Sequence, residues 1–183
     1  MKAFFLDRDG VINKDFGYVT TPERVEICDG VEGLLDFLKK RDFKLIVIYN
    51  QSAVARGKAS VEEIESTNEY INQKLGGAID AFYYCTYHNQ GEVKEHTRES
   101  FFRKPHPGMI LQAKKDHELE LKECFFLGDK FSDIEAASRL NIPAIQILRA
   151  KSTMHPGAMK YVMSIREAKD VMIQSLASSQ ARP

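Results

Sequence analysis

The chain has 183 residues, with 26 basic residues, 26 acidic residues and a formal net charge of zero. This length suits one domain with a sizeable core, and the charge balance excludes a global attraction to nucleic acid or to an anionic membrane. No apolar run is long enough to span a membrane, and no disulfide framework can come from three scattered cysteines, Cys28, Cys85 and Cys124. We expect a cytoplasmic monomer with one domain over residues 1–177 and a frayed tail at residues 178–183.

The first predicted strand leads directly into two aspartates. Residues 3–6 are apolar and are followed by Asp7, Arg8, Asp9 and Gly10, which is typical of a buried parallel strand that ends in a polar loop. A loop beginning at Asp7 can turn both carboxylates toward one cation, and Mg²⁺ suits such oxygen ligands. Asp and Gly are also common in turns, so the pattern taken alone favours a simple turn.

Helices and strands alternate through the rest of the chain. The predicted elements are a helix over 31–38, a strand over 44–49, a helix over 61–75 opened by a capping box, a strand over 78–85, a helix over 108–117, a strand over 124–127, a helix over 134–140, a strand over 142–148 and a helix over 165–176. Residues 86–102 show no helix or strand period, and long ordered connections of this kind tend to be functional or structural devices.

This alternation predicts an α/β fold with a parallel sheet and helices on both faces. The carboxyl ends of parallel strands lie at one edge, so polar groups that follow different strands meet in one crevice. These groups are Asp7 and Asp9, residues 49–52, Arg103 and Lys104, and Asp129 with Lys130 and Asp133. Carboxylates combined with lysine and arginine suit a phosphate ester held together with a divalent metal.

Several segments resemble the haloacid dehalogenase (HAD) superfamily of aspartate-nucleophile phosphatases. Within that superfamily, the chain is most similar to the group of histidinol phosphatases and heptose bisphosphatases. The matching segments are Phe5–Gly10, Asp15–Val19, Asn50–Ser52, Ala55–Gly57, Tyr83–Cys85, Arg103–Met109 and Gly128–Lys130. This resemblance implies a three-layer Rossmann-like fold without a large cap domain.

The resemblance also implies catalytic roles for three residues. Asp7 would attack phosphorus and carry the phosphoryl group, and Asp9 would protonate the leaving alkoxide and then deprotonate water. Lys104 would offset charge on the transferring phosphoryl group. Mg²⁺ would be held by Asp7, by the backbone carbonyl of Asp9 and by Asp129.

The implied reaction removes the C7 phosphate of D-glycero-D-manno-heptose 1,7-bisphosphate in the route to lipopolysaccharide or to a related nucleotide-heptose. Residues 15–18 would line the sugar side, and Arg103 would grip the second phosphate with its guanidinium fork. The predicted substrate-binding residues are Asp15, Phe16, Gly17, Tyr18, Tyr49, Asn50, Gln51, Ser52, Arg103, Lys104 and Lys130. An alternative within the same chemistry is histidinol-phosphate phosphatase.

Tyr49 departs from the family pattern. Relatives carry Thr or Ser at this position, whose short hydroxyl donates to the phosphate, and a tyrosine cannot make that contact from the same backbone position. Its ring either turns away or fills part of the phosphate site. From the sequence we predict that Tyr49→Thr raises kcat/KM by about tenfold or more. The same residue leaves open a second alternative, a binding module of this fold with reduced or lost turnover.

The predicted loop at residues 86–102 also departs from the family. Relatives often carry a zinc site there with the pattern Cys-x-His and then Cys-x-Cys, whereas only Cys85 remains in this chain. The other positions read Tyr87, Ser100 and Phe102, and one soft ligand does not make a tetrahedral site. We therefore expect Mg²⁺ but no structural zinc, with the loop held by packing of Tyr87, Phe101 and Phe102.

Overall fold

Six parallel strands form one sheet in the computed structural model, which describes residues 1–150 and 152–180. The strands are β1 (Ala3–Leu6), β2 (Lys44–Asn50), β3 (Ala81–Cys85), β4 (Phe125–Gly128), β5 (Ala144–Ile147) and β6 (Lys160–Val162). Their spatial order is β3-β2-β1-β4-β5-β6, and every neighbouring pair is parallel. The predicted parallel sheet is therefore confirmed.

Helices cover both faces of the sheet. They are α1 (Val31–Lys39), α2 (Ser52–Ala55), α3 (Val61–Lys74), α4 (Gly108–Asp116), α5 (Phe131–Ser138) and α6 (Ile165–Gln180). Side chains alternate across a strand, so Phe4 and Leu6 pack with α1, α3 and α6, while Phe5 packs with α4 and α5. The result is the expected three-layer Rossmann-like arrangement.

Two elements differ from the prediction. Strand β6 was missed because Lys160–Val162 is a short edge strand without an apolar run. Helix α6 runs to Gln180 rather than ending near residue 176, so residues 178–180 of the predicted tail are helical. The rest of that predicted tail, residues 181–183, lies outside the described residues.

The connections leave the carboxyl edge of the sheet open. Between β1 and β2 the chain forms only a single-turn 3₁₀ helix (Pro22–Arg24) and α1, and between β2 and β3 it forms α2 and α3. No large cap domain is inserted in either segment, as predicted. None of the helices built from the described residues has both the length and the apolar character needed to cross a bilayer.

Candidate active site

Three buried carboxylates meet at the carboxyl edge of the sheet. Asp7 follows β1, Asp129 follows β4, and Asp133 lies in the first turn of α5. One oxygen of each carboxylate lies within 4.8 Å of the others. Like charges this close and this buried repel one another strongly, so the cluster requires positive charge nearby.

Lys104 provides part of that charge. Its Nζ lies 2.6 Å from Asp7 Oδ1 and 2.6 Å from Asp133 Oδ1, and it donates to the carbonyl of Ile48 at 2.7 Å. Burial alone would lower the pKa of Lys104, but Asp133 and Asp7 outweigh this effect and raise the pKa. One ammonium group against three carboxylates leaves an excess of negative charge that a divalent cation would neutralise.

The carboxylates do not all have free oxygens. Asp133 pairs with Lys104 through Oδ1, and its Oδ2 accepts from the backbone N–H groups of Asp129 and Lys130 at 3.2 and 2.9 Å. By contrast, Asp129 Oδ1 is buried and has no hydrogen-bond partner among the described residues. The carboxylates offer only oxygen atoms as metal ligands, and one of these oxygens is buried without a partner. Both features fit a hard cation such as Mg²⁺.

Burial, followed by the negative charge of Asp7, raises the pKa of Asp129 to about 7. In the metal-free protein, the free energy of unfolding should therefore fall by about 1 to 4 kcal/mol as the pH rises from about 4 to about 7. The native state holds a proton there that the unfolded chain releases, so this stabilisation is lost as the pH passes the native pKa. Urea titrations in EDTA across this range should show the fall in wild type and a smaller fall in Asp129→Asn. An equal pH dependence of the free energy of unfolding in the two proteins would contradict a raised pKa of Asp129 in the native state.

Gly10 lets the first loop approach Asp129. Its φ is +97°, and a Cβ at this position would lie 2.2 Å from Asp129 Oδ2. We expect Gly10→Ala to lower the free energy of unfolding by about 2 to 4 kcal/mol and to weaken Mg²⁺ binding, because strain and overlap combine. The matched control is Gly76→Ala, since Gly76 has a φ of +65° and open space around it. The prediction would be contradicted if calorimetry showed the same loss of stability and an unchanged Mg²⁺ affinity in both variants. The overlap of the new Cβ with Asp129 would then have no effect.

Asn50 positions Lys104 instead of facing the crevice. Its Nδ2 donates to the carbonyl of Lys104 at 2.9 Å, and its Oδ1 accepts from the N–H of Lys104 at 2.9 Å. Gln51 is only 2% exposed, and its Oε1 accepts from the N–H of Ala53 at 3.2 Å. Backbone groups of Lys104 thus occupy the amide of Asn50, whereas the Nε2 of Gln51 is buried without a hydrogen-bond partner among the described residues. The substrate contacts of these two side chains stay predictions. Ser52, the first residue of α2, remains half-buried at the site.

Tyr49 turns away from the crevice. Its side chain is 1% exposed, and its ring lies under the guanidinium of Arg8, 4.1 Å from that group's central carbon. The hydroxyl donates to Asn68 Oδ1 at 2.9 Å and accepts from Arg8 Nη1 at 3.1 Å. Burial raises the pKa of Tyr49 to about 12, so the phenol is neutral. Its predicted contact with substrate is wrong, because the ring is part of the core.

The Asp9 carboxylate is held by two neighbours. Arg8 donates from Nε and Nη2 at 3.2 and 3.1 Å, and Asn13 Nδ2 donates to Oδ1 at 2.9 Å. The side chain of Asp9 is still 15% exposed, whereas that of Arg8 is fully buried. The sequence reasoning missed Arg8, although its position between two aspartates was a usable signal. It also missed Asn68, which lies on α3 and has no motif around it.

The loop at residues 15–18 lies beside the carboxylates. Lys130 Nζ donates to Asp15 Oδ2 at 3.2 Å, which joins the loop after β1 to the loop after β4. The N–H of Gly17 donates to Asp15 Oδ1 at 2.9 Å, and Phe16 is 53% exposed. Tyr18 stacks under Lys58, whose Nζ is 4.4 Å from the ring centroid. The predicted sugar side is thus an accessible loop with an aromatic side chain available for contact.

The connection at residues 86–102 is held only partly as expected. Tyr87 packs against the core cluster that contains Phe5, as predicted. Phe101 and Phe102 are 55% and 42% exposed, so their predicted packing on the body of the protein is wrong. The loop is instead tied to α2, because the carbonyl of Ala55 accepts from two of its N–H groups at 2.7 and 2.9 Å. Arg103 donates from Nη1 to the carbonyl of Tyr87 at 3.1 Å. The absence of structural zinc stays a prediction.

Comparisons with known proteins agree with this geometry. The sequence model of the HAD-hydrolase-like family matches residues 101–173. D-glycero-beta-D-manno-heptose-1,7-bisphosphate 7-phosphatase from Escherichia coli K12 is 37% identical over 178 residues, which cover 96% of this chain and 90% of the relative. D-glycero-alpha-D-manno-heptose-1,7-bisphosphate 7-phosphatase from Burkholderia mallei is 38% identical over 144 residues, covering 77% of this chain and 76% of the relative.

Solved structures share the fold. A HAD-like phosphatase from Mesorhizobium loti aligns with a TM-score of 0.83 and 25% identity, covering 94% of this chain and 85% of that one. The D,D-heptose 1,7-bisphosphate phosphatase from B. bronchiseptica, complexed with magnesium and phosphate, aligns with a TM-score of 0.80 and 22% identity, covering 96% of this chain and 99% of that one. Taken with the sequence identity to the curated relatives, these matches show that the chain belongs to the family of HAD-like phosphatases that includes the heptose-1,7-bisphosphate 7-phosphatases.

Proposed function

We propose that this enzyme removes the C7 phosphate from D-glycero-D-manno-heptose 1,7-bisphosphate, acting through one catalytic domain over residues 1–177. The observation that carries the proposal is the contact of Lys104 with Asp7, 2.6 Å apart, beside the free buried oxygen of Asp129. These contacts support the roles proposed here, with Asp7 as nucleophile, Lys104 as the cation for the phosphoryl group and Asp129 as a metal ligand. The named relatives act on this heptose bisphosphate, which supports the choice of substrate.

Asp7 is proposed to attack phosphorus while the bond from phosphorus to the sugar oxygen breaks. Asp9 gives its proton to the leaving alkoxide, and Arg8 and Asn13 keep the carboxyl group of Asp9 oriented for this transfer. Water then attacks the phosphorus of the aspartyl-phosphate, Asp9 takes its proton, and inorganic phosphate leaves with Asp7 regenerated. Lys104 stabilises the negative charge of the transferring group throughout.

Mg²⁺ bound by Asp7, Asp129 and the backbone carbonyl of Asp9 would supply the positive charge that lets a phosphate dianion approach Asp7. Asp133 contributes by holding Lys104 and the backbone of the β4 loop in place. Residues 15–18, with Ser52, Arg103 and Lys130, are proposed to bind the rest of the substrate. The burial of the Tyr49 ring supports the proposal of an active enzyme over that of a binding module with lost turnover.

Phosphate release by purified protein with Mg²⁺ tests the proposal. Both anomers of the heptose bisphosphate should be compared with histidinol phosphate, with sugar and phosphate quantified together. We expect one phosphate released per heptose and a kcat/KM for the better anomer at least about tenfold above that for histidinol phosphate, since Arg103 has a second phosphate to bind. A preference for histidinol phosphate, or release of both phosphates, would overturn the substrate assignment.

The proposed setting is the cytoplasm, with a phosphorylated sugar as the only partner. Cys28, Cys85 and Cys124 are all free thiols and all buried, which suits a reducing compartment. Equal numbers of acidic and basic residues give no global attraction for nucleic acid or for a membrane surface.

A further inference from the structure

A second cluster of polar side chains lies where α2 meets the connection at residues 86–102. Arg56 follows the last residue of α2, and its Nη2 lies 3.4 Å from Nε2 of His88. Arg103 lies beside them, because its Nη1 donates at 3.1 Å to the carbonyl of Tyr87, the residue before His88. Burial, followed by the charges of Arg103 and Arg56, lowers the pKa of His88. Burial and the charge of Arg56 likewise lower the pKa of Arg103. Three nitrogen-rich groups are therefore packed together.

Some hydrogen-bond donors of this cluster have no acceptor among the described residues. His88 Nδ1 accepts from the N–H of Gln90 at 3.0 Å, so the proton of a neutral ring must be on Nε2. Arginine has donors only. Arg56 Nη2 and His88 Nε2 are then both donors, 3.4 Å apart, and neither accepts from the other, so both can donate to one acceptor placed beside them. The Nε of Arg56 is also buried and has no hydrogen-bond partner among the described residues.

None of the ion pairs formed by the described residues involves Arg56 or Arg103. Glu99 is the acid that acts on both His88 and Arg103, and its Oε1 already accepts from Asn89 Nδ2 at 2.8 Å. Positive charge without an ion-pair partner, next to an unpartnered guanidinium N–H on Arg56, is a feature of an anion site.

The position of the cluster identifies which anion it would take. Arg103 directly precedes Lys104, whose Nζ touches Asp7. Helix α2 holds the loop in this place through Ala55, whose carbonyl accepts from the N–H groups of Glu92 and Val93. The adjacent residues Lys104 and Arg103 therefore link the crevice at Asp7 to the cluster, so a bisphosphate with its reacting phosphate at Asp7 can reach the cluster through Arg103.

We propose that Arg56 and His88 join Arg103 to bind the second phosphate of the bisphosphate substrate, the one that is not removed. This inference rests on the proposed function. It assigns binding roles to two residues that the family motifs and the catalytic geometry leave without one. Arg56 supplies Nη2 and its buried Nε, and His88 supplies the Nε2 proton.

Kinetics with two substrates test this site. The variants Arg56→Met and His88→Leu are compared with Arg98→Met, whose guanidinium stacks on Tyr87 in the same loop. We expect the ratio of kcat/KM for heptose bisphosphate to kcat/KM for p-nitrophenyl phosphate to fall by about 10- to 100-fold in the first two variants, mainly through KM, and to stay within about twofold in the control. An unchanged ratio in both test variants would overturn the inference. Failure of wild type to release phosphate from the heptose bisphosphate would count against the proposed function instead.

Binding of inorganic phosphate provides a readout independent of turnover. In EDTA, the three carboxylates repel phosphate from the catalytic crevice, so weak binding reports on the cationic cluster. Nuclear magnetic resonance of the His88 ring should show a saturable shift with phosphate in wild type and at least about a tenfold weaker response in Arg56→Met. A His88 signal that does not move with phosphate would overturn the inference whatever the kinetics show.

Discussion

Asp7→Asn should lower kcat for phosphate release by about 10⁴-fold or more. The amide has the shape of the carboxylate but is not a nucleophile, so the first half of the reaction is lost outright. Substrate affinity should change much less, because Lys104 keeps its contact with Asp133 at 2.6 Å. Steady-state phosphate release with Mg²⁺ gives kcat. Equilibrium titration of the inactive variant with the heptose bisphosphate gives the substrate affinity.

A matched control separates this effect from a general loss of structure. Asp116 is an exposed aspartate at the end of α4 whose Oδ2 accepts from the hydroxyl of Tyr83 at 2.8 Å. Asp116→Asn makes the same chemical change far from the crevice and should keep kcat within about twofold of wild type. Retention of more than about one hundredth of wild-type kcat by a folded Asp7→Asn variant would exclude Asp7 as the nucleophile.

Tyr49→Thr should destabilise the protein by about 3 to 5 kcal/mol, as large-to-small substitutions in a core do. The sequence predicted a gain in kcat/KM from this change, and the structure reverses that expectation. The ring lies between Arg8 and Tyr84, whose ring centroid is 5.7 Å away. Its removal leaves a cavity and deprives Arg8 Nη1 of an acceptor at a fully buried position. Because Arg8 orients Asp9, kcat should fall as well.

The comparison with Tyr49→Phe isolates the hydroxyl. Phenylalanine keeps the ring under Arg8 and removes only the hydrogen bonds to Arg8 and Asn68, so its loss should be about 1 to 3 kcal/mol. Urea denaturation at one pH gives both values. A Tyr49→Thr variant as stable as wild type, with kcat/KM raised tenfold, would restore the original expectation and place this side chain at the phosphate.

The sequence predicts the location of the site well, because that location follows from general rules. Apolar strands followed by polar residues, read with the parallel topology, are enough to bring Asp7, Lys104 and Asp129 to one edge. The capping box at Ser60 and Glu63 is also found as predicted, since it depends only on residues three apart. Features that depend on local spacing or on sheet topology can be predicted from the sequence alone.

What each side chain contacts could not be predicted in the same way. Asn50 bonds to the backbone of Lys104, 54 positions away in the chain, and Tyr49 bonds to Asn68 across the interface between β2 and α3. Such pairs depend on packing between elements, which no local pattern records. The exposure of Phe101 was missed for a related reason, since the irregular connection around it has no periodicity that would show which side faces the core.

Trapping the phosphorylated enzyme is the most direct test of Asp7 as the phosphoryl acceptor. p-Nitrophenolate leaves without a proton, so Asp9→Asn should still transfer the phosphoryl group from p-nitrophenyl phosphate but should hydrolyse the aspartyl-phosphate slowly. With Mg²⁺ and acid quenching, peptide mass mapping should find one phosphoryl group on the peptide that carries Asp7, together with a burst of about one p-nitrophenolate per enzyme. A phosphoryl group on another residue, or turnover by Asp9→Asn at the wild-type rate without any burst, would contradict it.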